Sequence, residues 1–466
     1  MPEQVSSPAA AGPPPEVTPE QASATIRSRQ FVVLLVLAAI VGVVVSLAAW
    51  CFLELVYQIQ REAFTHLPHA LGYPNGPPVW WPLPVLALGA LITAFAIARL
   101  PGRGGHVPAD GLATGGPPPL ARDIPGIVLA GLASIGLGLV IGPEAPLIAL
   151  GAGLGATAIR LSRRDAPNQV VVVVAAAGSF AALSFVFSSP LIAAVILIEA
   201  TGIGGPRLPL ILLPGLLAAG IGSLVSLGIG SFTGLSTSAY ALDALPLPSF
   251  AHPHLGNFGW TILLAIVVAV VTRLIMRGGR ESHRLAAPRP FLVLPVAALI
   301  IAGLAIAFSK ATPHSVNDVL FSGQDQLPGL IAQAGTYSVG ALLLLVALKG
   351  IAYSISLGSF RGGPTFPAIF LGAAGGILFS HLPGFPITPA VAVGMAASVV
   401  AVLRLPLTAV VIGTVLTAKS GVSAEPLIIV GAVVAHVVTA LLTAPRTAAS
   451  AEASEDRSPV TQTART

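Results

Sequence analysis

The chain's 466 residues are 55% hydrophobic and only 9% charged, with a mean hydropathy of +0.89. Water-soluble globular domains carry about 25% charged residues, so that class is excluded. The formal net charge of +5 sits in short Lys and Arg clusters beside apolar runs, which signals membrane topology rather than a nucleic-acid surface.

Residues 1–28 and 444–466 are polar, small-residue tails expected to be disordered, and nothing near Met1 has signal-peptide character. Between them lies one integral membrane domain, 29–443. Its apolar runs fall at roughly 31–57, 79–99, 124–141, 144–161, 169–186, 190–200, 208–230, 256–278, 291–308, 337–357, 367–380, 387–403, 406–418 and 426–443. Several are shorter than the roughly 20 residues of a perpendicular span and predict half-spanning or tilted helices. The 50 glycines and 42 prolines agree with interrupted, closely packed helices. Ser315 to Ala334, with Asp318, Gln324, Asp325 and Gln326, is too polar to span and reads as interfacial. Cys51, the single cysteine, excludes an intramolecular disulfide framework.

The chain repeats itself. Gly142-Pro143-Glu144-Ala145-Pro146 and its continuation to Ala152 share the frame GPxxPxIxLGA with Gly363-Pro364-Thr365-Phe366-Pro367 and its continuation to Ala373, 221 positions later. Pro190 to Ile196 resembles Pro406 to Ile412 in the same order. Repeat one therefore covers about 30–230 and repeat two about 256–443. Basic residues follow or precede particular spans: Arg27 and Arg29, Arg99 and Arg103, Arg160, Arg163 and Arg164, then Arg273, Arg277, Arg280, Arg284 and Arg289. Gly230 to Trp260 holds no Lys or Arg and reads as the external loop. The positive-inside rule then places both termini in the cytoplasm of a multi-pass cell-membrane protein and inverts one repeat against the other. In that architecture substrate sites lie between the repeats, at broken helices.

Helix N-termini offer an anion unpaired N–H groups and about half a positive charge each, without binding it too tightly to leave. Breaks at Gly104–Pro108, Gly142–Pro146 and Gly363–Pro367 can supply three. Glu144, in the first turn after one break, carries the same charge sign as an anion and can occupy its position as a gate.

The run Lys349 to Pro367, containing Gly358-Ser359 and Gly362-Gly363-Pro364-Thr365-Phe366-Pro367, resembles the CLC family of chloride channels and chloride/proton antiporters. Gly142-Pro143-Glu144-Ala145-Pro146 and Gly104-Gly105-His106-Val107-Pro108 are similar to two further motifs of that family, in order. The resemblance implies an all-helical inverted repeat, a homodimer with one anion pathway per subunit, and an anion-binding set at Gly105, Ala145, Thr365 and Phe366, with Glu144 as gate. It also marks departures. Gly105 stands where most members have a coordinating serine, and His106 where they have glycine. Pro143 replaces a basic residue, Pro364 replaces a backbone donor, and Ala200 stands where exchangers carry a proton-transfer glutamate.

These residues favour a passive or weakly proton-coupled pathway for chloride or other small monovalent anions. The alternatives are a chloride/proton antiporter with a non-standard proton path and a non-conducting membrane scaffold or regulator. No enzyme constellation accompanies the breaks, and no cofactor or nucleic acid is implied. His106, Lys349 and Glu199 are candidate modulators, each with a structural reading beside it: a satisfied loop histidine, a snorkelling lysine and an end-of-span carboxylate. His66-x-x-His69 and His252-Pro-His254 are not expected to bind metal.

Overall fold

A computed structural model describes residues 17–112, 116–202, 204–233, 242 and 244–443. The expected C-terminal tail, residues 1–16 and part of the central linker lie outside the described residues. The helices are α1 Pro19–Ile26, α2 Arg29–Arg61, α3 Leu67–Ala70, α4 Pro82–Arg99, α5 Ile124–Gly136, α6 Glu144–Ser162, α7 Asn168–Val186, α8 Pro190–Thr201 and α9 Leu208–Thr233. After the linker come α10 Leu255–Ala286, α11 Pro290–Ala311, α12 Gln326–Ala332, α13 Val339–Ser359, α14 Thr365–Phe379, α15 Ile387–Leu403, α16 Pro406–Leu416 and α17 Glu425–Leu441. Nine helices among the described residues are long and apolar enough to cross a membrane. The polar stretch around Asp318 forms only short turns and α12.

One expectation fails at the N-terminus. Part of the stretch read as disordered, Pro19–Ile26, is helical, because Thr18 and Gln21 form a capping box: the Gln21 N–H donates to Thr18 Oγ1 (3.2 Å) and the Thr18 N–H to Gln21 Oε1 (3.0 Å). Composition alone hides such a local signal.

The two halves are built alike and face each other. α2 packs on α7 and α9 as α10 packs on α15 and α17, and α8 lies between α7 and α9 as α16 lies between α15 and α17. The α6–α7 pair meets where Gly151 lies against the Gly178 backbone, and the α14–α15 pair where Gly372 lies against Gly394. A side chain at any of these crossings would meet backbone atoms, so the helices can approach this closely only with glycine. Across the halves, α4 packs on α11 and α8 on α16, each an element against its own counterpart. This self-pairing is the mark of a two-fold relation, and it makes the molecule an inverted repeat.

The central helices α7, α14 and α15 are enclosed by protein, α15 along almost its whole length. The outer helices expose apolar side chains, among them Val32, Val36 and Ile40 of α2 and Leu292, Val296 and Ile300 of α11. Lipid tails cover such surface at no cost, so these helices need no amphipathic stripe.

Candidate functional site

The repeated motif pairs with itself. Gly142 and Gly363 form an isolated antiparallel bridge, with Gly142 N–H donating to Gly363 O at 2.8 Å and Gly363 N–H to Gly142 O at 2.5 Å. Each bridge residue is followed by a proline N-cap, Pro143 (φ −85°, ψ −9°) and Pro364 (φ −89°, ψ −10°), and then by a helix. Proline at an N-cap removes a donor the helix never uses internally and presets the turn. Two helices therefore begin side by side from one two-residue ladder at the centre of the molecule.

Glu144 is the first residue of α6 and is fully buried. Its Oε1 accepts from the backbone N–H of Thr365, the first residue of α14, so the carboxylate of one repeat occupies the N-terminus of the other. Oε2 has no protein partner, and neither does the buried Thr365 hydroxyl. A side chain at Gly363 would collide with the Glu144 carboxyl group, and one at Gly142 would also press on Phe366. Glycine at both positions is what leaves room for a charged oxygen beside the ladder. Ala145 is buried in the same turn as Glu144, and Phe366 stacks on Phe187 with centroids 5.1 Å apart, closing one side.

The structure brings Glu144, Ala145, Thr365 and Phe366 together. Gly105 lies in a separate segment between α4 and α5, with φ 90° and ψ −158° and its N–H already donated to Gly102 O at 2.8 Å. Only glycine adopts that backbone without strain, so the loop itself explains why no serine stands there. Gly105 and His106 help line a cavity of about 980 Å³ that extends between α6, α7, α8 and α9. His106 pairs through Nε2 with Gly111 O at 3.0 Å, and burial holds its pKa below the ordinary 6.5 against the opposing pull of Asp110.

Lys349 and Glu199 sit in built structural roles. Lys349 does not snorkel: it is fully buried, and Nζ donates to the carbonyls of Asp318 (2.9 Å), Val319 (3.2 Å), Leu320 (2.9 Å) and Phe321 (3.3 Å), with the Phe370 ring 4.4 Å away. It ties the polar 316–325 segment to α13. Glu199 accepts from Leu407 N–H at 2.9 Å and Thr408 N–H at 2.7 Å, capping α16 of the other repeat from the end of α8. Among the described residues no three His, Cys, Asp or Glu converge as a metal group, and His66 pairs instead with Glu62 at 2.8 Å.

Three residues that sequence reading passed over stand at the breaks. Tyr353 is buried and donates its hydroxyl to Pro364 O at 2.5 Å, fixing the N-cap of α14. Ser356, one turn on, accepts from Val140 N–H at 3.2 Å and so joins α13 to the segment leading into Gly142. Both are polar at helical spacing in an apolar span, which is a legible signal. Arg361 is 6% exposed, donates to Phe360 O at 3.1 Å and leaves Nε unpartnered, with its aliphatic stem beside Gly104. A lone arginine inside a glycine-rich break was the sign.

A polytopic helical protein whose inverted repeats meet at paired helix N-termini has the architecture of an ion-pathway protein. The chain belongs to the voltage gated chloride channel family, whose sequence model matches residues 89–440. It is 30% identical over 391 residues, covering 81% of this chain and 86% of the relative, to the "Putative ion-transport protein YfeO" of Escherichia coli O1:K1 / APEC. Its fold is similar to that of a slow cyanobacterial Cl−/H+ antiporter (TM-score 0.71, 21% identity, covering 91% of this chain and 98% of that one). It is also similar to a CLC-type fluoride/proton antiporter (TM-score 0.66, 18% identity, covering 91% and 97%).

Proposed function

We propose that this chain carries chloride or other small monovalent anions across the cell membrane, through a passive or weakly proton-coupled pathway gated by Glu144. The observation that carries this reading is the Glu144 carboxylate at the Thr365 amide: a negatively charged oxygen already occupies a helix N-terminus at the meeting point of the repeats. An anion of similar size competes for the same donor once the carboxylate leaves or is protonated. Arg361 adds a buried positive charge near Gly104 without binding the ion through a full set of donors. The protein acts as a homodimer with both termini cytoplasmic. Ala200 supplies no carboxyl group for proton transfer, which favours passive flux. A chloride or fluoride antiporter is the second reading, favoured by the two antiporters whose folds this chain resembles.

Purified protein in chloride-loaded liposomes, with anion efflux and proton uptake recorded together, is the test. Efflux above that of protein-free vesicles, without stoichiometric proton uptake, is the expected result. Uphill proton movement driven by a chloride gradient selects the antiporter, and absence of flux with every anion tried rejects the transport reading in favour of a scaffold.

A further inference from the structure

We infer that a cleft between α10, the α15–α16 turn and α17 is a binding site for a phosphoryl group, separate from the Glu144 site, with Ala200 of the transport reading also in its wall. The cleft encloses about 300 Å³, more than a monatomic anion needs, and is lined by Arg273, Met276 and Arg280 of α10, by Arg404 and by Thr439 of α17. The α10 residues fall at helical spacing on one face. Arg404 caps α15 in the left-handed region, at φ 61°.

Three guanidinium groups line the cleft against one carboxylate, that of Asp110. A fourth arginine, Arg277, stands beside them, since Arg273 Nε (3.4 Å) and Arg277 Nη2 (3.5 Å) both donate to Leu442 O. The ion pairs among the described residues are His66–Glu62, Arg122–Asp123 and Arg284–Glu281, none of them at this cleft. Like charges gathered in a partly enclosed space repel, and among the described residues Asp110 is the one carboxylate lining the cleft against them. The second observation is Thr439, which lines the cleft at 3% exposure with a hydroxyl that has no hydrogen-bond partner. A buried hydroxyl without a partner is costly and points to a ligand oxygen. Guanidinium forks match the spaced oxygens of a phosphoryl group in a way that a spherical chloride cannot.

The ligand is free phosphate or the headgroup of an anionic phospholipid, which share this chemistry. Asp110 and Leu112 line both this cleft and the larger cavity that reaches Gly105 and His106, so an occupant here stiffens the wall between the two.

The experiment uses the purified full chain. Its thermal midpoint is followed while inorganic phosphate is titrated at constant ionic strength against a chloride control, and native mass spectrometry reads retention of phosphatidylglycerol against phosphatidylethanolamine. The wild type is expected to respond in one arm: a saturable phosphate shift assigns the free anion, and selective phosphatidylglycerol retention assigns the headgroup. Arg280→Gln with Arg404→Gln should weaken that response about tenfold per arginine. Arg404→Gln alone, at an exposed position, serves if the double variant does not fold. A wild type that responds no more to phosphate than to chloride and retains both lipids equally overturns the proposal, as does a variant response equal to the wild type's.

Discussion

Replacing Glu144 tests whether the paired helix starts hold an anion. The carboxylate accepts the Thr365 N–H in a fully buried setting. A hydrogen bond to a charged group is worth about 1.5–3 kcal/mol net. At about 1.4 kcal/mol per factor of ten, losing that charged acceptor shifts the balance from blocked to open by about ten- to hundredfold. Glu144→Gln keeps the shape and removes the charge, while Glu144→Ala removes both. In a liposome efflux assay across pH, both variants should pass chloride faster than the wild type at neutral pH, with rates that no longer change as pH falls. The wild type should gain flux on acidification, because protonation neutralises the group that competes with the ion. Wild-type pH dependence retained in both variants refutes the gate.

Glu199→Ala removes the acceptor of two α16 donors, an effect of about 0.5–2 kcal/mol for a helix cap, so the thermal midpoint should fall while the pH dependence of flux stays as in the wild type. Lys349→Met strips the shared donor from four carbonyls of the 318–321 segment, each unpaired buried group costing about 1–3 kcal/mol, and limited proteolysis there should accelerate. Because burial depresses the His106 pKa, its neutral form is favoured in the fold. That contribution is present above the unfolded value near 6.5 and is lost as pH falls through the folded one, so the midpoint should drop on acidification and His106→Gln should flatten that drop. Arg361→Gln removes a buried cation near Gly104 and should slow anion efflux in the same assay without loss of folded protein by size-exclusion chromatography.

The repeat was legible because a shared frame of Gly and Pro is needed to start two equivalent helices, and the observed helices begin at Glu144 and Thr365, within a residue or two of the motif. Apolar length predicted the spans well, but not where α5 stops: the run to Ile141 stays apolar while the backbone leaves the helix after Gly136. Hydrophobicity cannot mark that stop, which depends on Gly138 at φ 99°. The partner of Glu144 was equally hidden, since a backbone N–H contributed by Thr365 depends on how the halves dock. For Lys349 and Glu199 the sequence offered a charge near a span, and only the fold shows what each one holds. Gly105 reversed its meaning: a position read as a lost hydroxyl is one whose backbone angle excludes a side chain.

On the proposed gating, an anion and the Glu144 carboxylate compete for one place at the N-terminus of α14. Crystals of Glu144→Gln grown with bromide and measured at the bromine absorption edge test it directly. An anomalous peak is expected beside the Thr365 amide nitrogen, where Oε1 rests in the wild type. Bromide bound elsewhere, with that amide bare, contradicts it.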